Sequence, residues 1–159
     1  MVLQQGRCAH KEGLSRSKGQ SSTAAAAYRA GVCITDERTG EVFDYTRKRG
    51  IEHSEIIVPE KAHADLQRMA DMSRSTDPNE RGEGQAAFWN ANEKAHKRGD
   101  SIVAREIEVD IPHELSAEDR LQLVRDFGRA LADKWGCGVQ ASLHEPRTVS
   151  DCDLQRKPD

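Results

Sequence analysis

Residues 101–112, SIVAREIEVDIP, alternate along their length: Val103, Arg105, Ile107, Val109 and Ile111 fall on one side, Ala104, Glu106, Glu108 and Asp110 on the other. Successive strand side chains point to opposite faces, so this segment is a strand whose two faces differ in chemistry. The apolar face must be covered, while the other turns Glu106, Glu108 and Asp110 toward a surface that is wet or functional. Pro112 ends the strand. Ser116 with Asp119 then opens a helix in capping-box fashion. Leu121, Val124, Phe127, Leu131 and Trp135, at steps of three and four, predict one buried stripe that ends at Gly136. Residues 138–144, GVQASLH, form a last strand that delivers His144 at its end.

The upstream half has weaker signals. Residues 2–10 predict a short strand and residues 13–19 a loop. A helix starts at Ser21 or Ser22, runs through four alanines and Tyr28, and stops at Gly31. VCITDERTGEVFDY is a hairpin with Thr39-Gly40 at its tip, and SEIIVP is a strand closed by Pro59. Residues 60–82 share a weak helix, with Leu66, Met69 and Met72 at helical spacing, and a loop in which Asp77-Pro78-Asn79 marks a turn. Residues 84–98 predict a helix anchored in the core by Trp89. The order of elements describes an α+β domain over residues 1–144, followed by a polar tail, 145–159, expected to be loose.

The chain has 159 residues, enough for one core, and its 36% hydrophobic and 32% charged residues make that core thin beneath a solvated surface. No apolar run approaches the ~20 residues of a membrane span, and the first residues lack the pattern of a secretory signal, so a cytoplasmic protein is expected. Cys8, Cys33, Cys137 and Cys152 are scattered and are expected to be free thiols, the first three as small apolar filler in strands. Net charge is −3, yet residues 1–50 carry +4 and the remainder −7. A polyanion, if one binds, is therefore expected on the N-terminal third.

Three residues are candidates for chemistry. Tyr28 lies near the end of an Ala-rich helix beside Arg29, with Arg16 and Lys18 upstream. A phenol titrates near ~10, so attack on phosphorus at neutral pH needs a nearby cation or base. The alternative is that Tyr28 only packs. Glu106, on a rigid strand, is either a base or a paired outer-face acid. His144 alone cannot make a metal site, and His10, His53, His63, His96 and His113 are dispersed, with no His-x-His pair among them.

Five blocks occur in a characteristic order: SRSKGQSSTAAAAYRAG, DERTGEVFDYTRKRGIEHSEIIVP, FWNANEKAHKR, VAREIEVDIPHELS and VQASLH. Together they resemble the MobA/MobL, or MobQ-type, conjugative relaxases, with the likeness running from about Leu14 to His144. The resemblance implies an α+β relaxase (HUH endonuclease-like) domain with an antiparallel sheet and packed helices. It implies that Tyr28 cleaves one strand of single-stranded DNA at the origin of transfer, keeping the 5′ phosphate and releasing a 3′ hydroxyl. Ser15, Arg16, Gly19 and Gln20 match the loop before the tyrosine helix, Glu106 an acid of the central strand, and His144 the first of three metal-binding histidines. Arg16, Lys18, Gln20, Arg29, Arg47, Lys48 and Arg49 are the expected DNA contacts.

By the same resemblance the cofactor is a divalent cation, Mg²⁺ or Mn²⁺. The partners are accessory mobilisation proteins and a type IV secretion coupling protein, in a bacterial cytoplasm. The sequence departs from the family after His144, where EPRTVSDCDLQRKPD has no Asn-Pro-His-x-His segment. Weak or absent metal binding and the lack of a central strand are therefore expected. A catalytically inactive remnant or an accessory single-stranded-DNA-binding protein is the rival function.

Overall fold

The structure is a computed structural model that describes residues 2–3, 9–112 and 114–145. Its elements are β1 (Val2–Leu3), β2 (Ala9–Ser15), a 3-10 turn (Arg16–Lys18), α1 (Ser22–Ala30), β3 (Cys33–Thr35), β4 (Val42–Asp44), β5 (Ile51–Ile57), α2 (Ala64–Met72), α3 (Pro78–Ala95), β6 (Ile102–Val109), α4 (Ala117–Trp135) and β7 (Val139–His144). The main sheet has the order β2-β6-β1-β7-β5, and β3 with β4 forms a separate hairpin. The outer pairs, β2 with β6 and β5 with β7, are antiparallel, whereas β1 runs parallel to both neighbours. Among the described residues, Val2 and Leu3 of β1 bridge the sheet between β6 and β7.

β7 shows how the layers are built. Val139, Ala141 and Leu143 pack into an apolar cluster with Ile57, Ile111 and the α4 residues Val124 and Ala132. The alternate residues Gln140 and His144 reach the other way, to the backbone carbonyls of Ala26 and Arg29 in α1. Period-two alternation thus gives the strand an apolar face under α4 and a polar row under α1, both buried. Two further clusters hold α2 and α3 on β5, through Ile56, Val58, Ala70 and Phe88, and α1 on the hairpin, through Ala26, Ala27 and Ile34.

Four expectations need correction. Residues 13–15 belong to β2 and not to a loop: a Cβ on Gly13 would stand 2.5 Å from Ile102 Cγ2, so this glycine serves close strand approach. Asp77-Pro78 starts a helix, because Asp77 caps the amide of Asn79 and Pro78 occupies the first turn, where a missing N–H costs nothing. The buried stripe of α4 is Val124, Gly128 and Ala132, while Phe127 and Trp135 are exposed, Trp135 by 68%. Small residues win that face because the helix lies so close to β5 that a Cβ on Gly128 would stand 2.5 Å from Ile57 Cδ1. Cys33 and Cys137 are exposed thiols and not buried filler; Cys8, Cys152, His113 and the tail from residue 146 lie outside the described residues.

Candidate functional site

The site is organised by α1, nine residues long and too short to hold itself together in water. Its N-terminus is fixed by two carboxylates from distant elements. Glu93 of α3 accepts from the backbone amide of Ser22 at 2.8 Å and its hydroxyl at 2.6 Å through Oε1, and from Arg16 Nη2 at 2.5 Å through Oε2. Asp36, just after β3, accepts from Thr23 Oγ1 at 2.6 Å and from the amides of Arg38 and Thr39. Burial alone would raise both carboxyls. Hydrogen bonds from Ser22 and Arg16 to Glu93, and from Thr23, Arg38 and Thr39 to Asp36, outweigh it and hold each below its ordinary value. Negative charge at a helix N-terminus also complements the free amides of the first turn.

At the other end, α1 stops at Gly31, whose φ of 64° suits the left-handed cap. Last-turn carbonyls have no partner within a helix. Here Lys48 Nζ donates to the carbonyl of Tyr28 at 2.8 Å, and His144 Nε2 donates to that of Arg29 at 2.9 Å. A carbonyl can only accept, so Nε2 carries the proton in this arrangement. The run of alanines lets the helix backbone come close enough to the sheet for Gln140 Nε2 to reach the Ala26 carbonyl at 3.2 Å.

Tyr28 is 42% exposed at this end. Its ring meets Tyr45 edge to face, with centroids 5.3 Å apart, and Lys48 Nζ stands 3.4 Å above the ring centre. Arg29 Cζ is 5.6 Å from the same centre, and the Arg29 guanidinium pairs with Glu106 at 3.3 Å and Glu108 at 3.4 Å. Arg29 is therefore the hub: its carbonyl meets His144, its side chain meets the β6 acids, and its chain neighbour is Tyr28.

Of the residues expected from sequence, Tyr28, Arg29, Lys48, Glu106 and His144 come together. Arg47, Arg49 and Lys18 are exposed. The Arg16 guanidinium is nearly buried against Glu93 and also bonds the carbonyls of Glu93 and His96, so in this structure it anchors the loop. Gln20 is likewise occupied, its Oε1 accepting from the Ser15 amide at 2.9 Å. Sequence reasoning missed Glu93, Asp36 and Gln140, and named Glu108 only as one of the acids on a wet or functional strand face. Asp36 had a signal, since DERTG spells an Asx-type turn; Glu93 had none, because a buried carboxylate in a polar helix looks like a surface one.

Among the described residues no three His, Cys, Asp or Glu side chains gather to hold a metal ion. His144 commits Nε2 to Arg29, and Glu106 and Glu108 face a guanidinium, so these residues by themselves do not fit a divalent cation.

The family model described as MobA/MobL matches residues 20–157. This chain belongs to the MobA/MobL family. It is 49% identical to "Mobilization protein MobL" of Acidithiobacillus ferridurans over 146 residues, covering 92% of this chain and 34% of that protein. It is 39% identical to "Conjugal transfer protein TraA" of Rhizobium radiobacter over 115 residues, covering 72% of this chain and 10% of that protein. The chain thus spans about a third or less of these relatives. A solved structure described as "Molecular Basis of Vancomycin Resistance Transfer in Staphylococcus aureus" matches with a TM-score of 0.71 at 25% identity, over 91% of this chain and 66% of the other. The α+β relaxase-type fold that the MobA/MobL blocks imply is the fold observed.

Proposed function

We propose that this MobA/MobL domain nicks single-stranded DNA at an origin of transfer, with Tyr28 as nucleophile. The observation that carries the reading is a half-exposed phenol on a helix pinned at both ends, its ring covered by the Lys48 ammonium. In the proposed step Tyr28 Oη bonds to phosphorus in line as the bond from phosphorus to the 3′ oxygen breaks. The phenolic proton passes to a base, the 3′ oxygen takes up a proton, and one phosphodiester becomes one phosphotyrosyl ester. The cations beside the ring favour negative charge developing on the phenol oxygen and draw in the phosphate. Arg29 pairs with both Glu106 and Glu108, and Glu106 is the candidate base for the phenolic proton when that pair opens.

Arg47, Arg49 and Lys18 supply exposed positive charge for the backbone of the strand. By the family resemblance a divalent cation would polarise the scissile phosphate; among the described residues no three ligands gather to hold one. Accessory mobilisation proteins, a secretion coupling protein and a cytoplasmic location follow from the same proposal. Among the described residues no helix is long and apolar enough to cross a membrane.

A second reading is DNA binding without cleavage, which the exposed cations Arg47, Arg49 and Lys18 would serve equally well. A covalent-adduct assay with single-stranded origin DNA and Mn²⁺ separates the two. An adduct lost in Tyr28→Phe supports cleavage, salt-sensitive binding with no adduct supports the second reading, and no binding at all opposes both.

A further inference from the structure

Helix α4 lies across β5 and β7 with Val124, Gly128 and Ala132 turned inward. At about 100° per residue, Leu123 and Phe127 fall together on its flank, beside that inner stripe and not on it. They are 45% and 36% exposed, and Trp135 stands out into solvent at the end of the helix. With Ala130, also exposed, they make an apolar strip that runs about 18 Å along the helix. Apolar side chains scattered singly on a surface need no explanation, but three large ones along one helix mark an interaction surface.

A row of acids borders the strip on its outer side. Asp119, Asp126 and Asp133 recur every seven residues, which closes two helical turns to within about 20° and so keeps them nearly in line. All three are exposed. Their hydrogen-bond donors are neutral: Ser116 Oγ for Asp119 at 2.7 Å, Gln122 Nε2 for Asp126 at 2.8 Å, and the Glu60 amide for Asp133 at 3.1 Å. Among the described residues no cation pairs with any of them. Of the exposed cations on α4, Arg129 donates to the carbonyl of Val58 and Lys134 lies over the Trp135 ring, 5.2 Å from its centre.

This pattern selects among occupants. If two copies paired their α4 helices antiparallel about a twofold axis, the same borders would meet, and the three aspartates of each copy would face those of the other at a cost in repulsion. A helix whose own apolar stripe is edged with lysine or arginine meets no such penalty. We infer that α4 is a docking surface for a basic amphipathic helix of another protein, whose apolar side chains cover Leu123, Phe127 and Trp135 and whose cations line up on Asp119, Asp126 and Asp133. The alternation along β7 puts α4 and α1 on opposite faces of the sheet, so a partner held here leaves Tyr28 uncovered. The inference therefore stands whether or not the domain nicks DNA.

The test uses the full chain and two synthetic helical peptides of about 18 residues, long enough to span the strip. Both carry one leucine stripe, edged with lysine in the first and with glutamate in the second. Fluorescence anisotropy of the labelled peptides should show binding of the lysine peptide, weakening as salt is raised, and little of the glutamate peptide. Trp135 emission should shift to the blue on binding, read as the difference from Trp135→Phe so that Trp89 cancels. Leu123→Asp should weaken the lysine peptide about tenfold or more. The double variant Asp126→Lys, Asp133→Lys should reverse the preference between the peptides, an outcome that loss of folding cannot mimic.

Failure of the lysine peptide to bind, equal binding of the two peptides, or binding that neither variant changes would overturn the assignment. A dimer of the chain alone in sedimentation, dissolved by Phe127→Asp, would make a second copy the occupant and overturn it too. So would Trp135 emission already that of a covered indole in the free chain and unmoved by peptide, because the chain itself would then fill the strip.

Discussion

Replacing Glu93 with alanine would remove the support of α1 at its N-terminus, and the cost can be worked from the contacts. The Glu93 side chain is 1% exposed and that of Arg16 9%, so this pair is buried. Alanine leaves the Arg16 guanidinium with the carbonyls of Glu93 and His96 but no counter-charge, and leaves the Ser22 amide, an orphan donor of the first turn, without its acceptor. Breaking a buried ion pair from one side costs about 3–5 kcal/mol. At about 2–4 °C per kcal/mol for a domain of this size, Tm should fall by roughly 6–20 °C. Glu93→Gln keeps an acceptor for Ser22 and should cost less, about 1.5–3 kcal/mol for the lost charge assistance. The double variant Arg16→Met, Glu93→Leu should recover much of the loss, since no buried charge is left unpaired.

The assay is urea unfolding followed by circular dichroism across pH. The folded-state carboxyl is held below its unfolded value, so its contribution is complete above the unfolded value and is lost as pH falls through the folded one. The gap between wild type and Glu93→Ala should therefore narrow in acid, below about pH 4. A loss under about 1 kcal/mol at neutral pH, or a gap that stays constant in acid, would refute the anchoring role.

The two glycines of α3 should respond oppositely. Gly82→Ala meets nothing within 4 Å and should stabilise by up to about 1 kcal/mol, whereas Gly84→Ala would put a Cβ 2.6 Å from the Ser73 amide nitrogen and 2.8 Å from the Met69 carbonyl, costing about 1–3 kcal/mol; thermal unfolding of both variants decides. His144→Leu removes the donor to the Arg29 carbonyl at an 8% exposed position and should cost about 1–3 kcal/mol in urea titrations, even with no metal added. Lys48→Met keeps an aliphatic cover on the Tyr28 ring but removes the ammonium; the adduct rate should fall about tenfold or more with fold stability changed by about 1 kcal/mol, and an unchanged rate would count against an electrostatic role.

Much of the architecture was legible where one period dominates a segment. The alternation of residues 101–112 became β6, VQASLH became β7, and the alanine run between Ser22 and Gly31 became α1. Legibility failed where small residues do the packing. Side-chain size pointed to Phe127 and Trp135 on α4, but close approach to β5 reserves the inner face for Gly128 and Ala132. It failed again where one motif serves two grammars: Asp77-Pro78 marks a turn or a helix start, and here Asp77 caps α3 with Pro78 in its first turn. At the site, the association of Tyr28 with Arg29, Glu106 and His144 depends on strands far apart in the chain, and the family likeness, not periodicity, suggested it. Glu93 stayed hidden because its partners lie some 70 residues away and burial of a charge leaves no local pattern.

The chain has two tyrosines, Tyr28 and Tyr45, in ring contact, so the nucleophile can be assigned by mapping. Single-stranded origin DNA carrying a bridging sulfur at the 3′ position of the nick offers a leaving group that needs no metal assistance. After reaction and proteolysis, mass spectrometry should find the 5′-phosphonucleotide on the peptide containing Tyr28 and nowhere in Tyr28→Phe. DNA carried on the Tyr45 peptide, or an adduct that persists in Tyr28→Phe, would contradict the account.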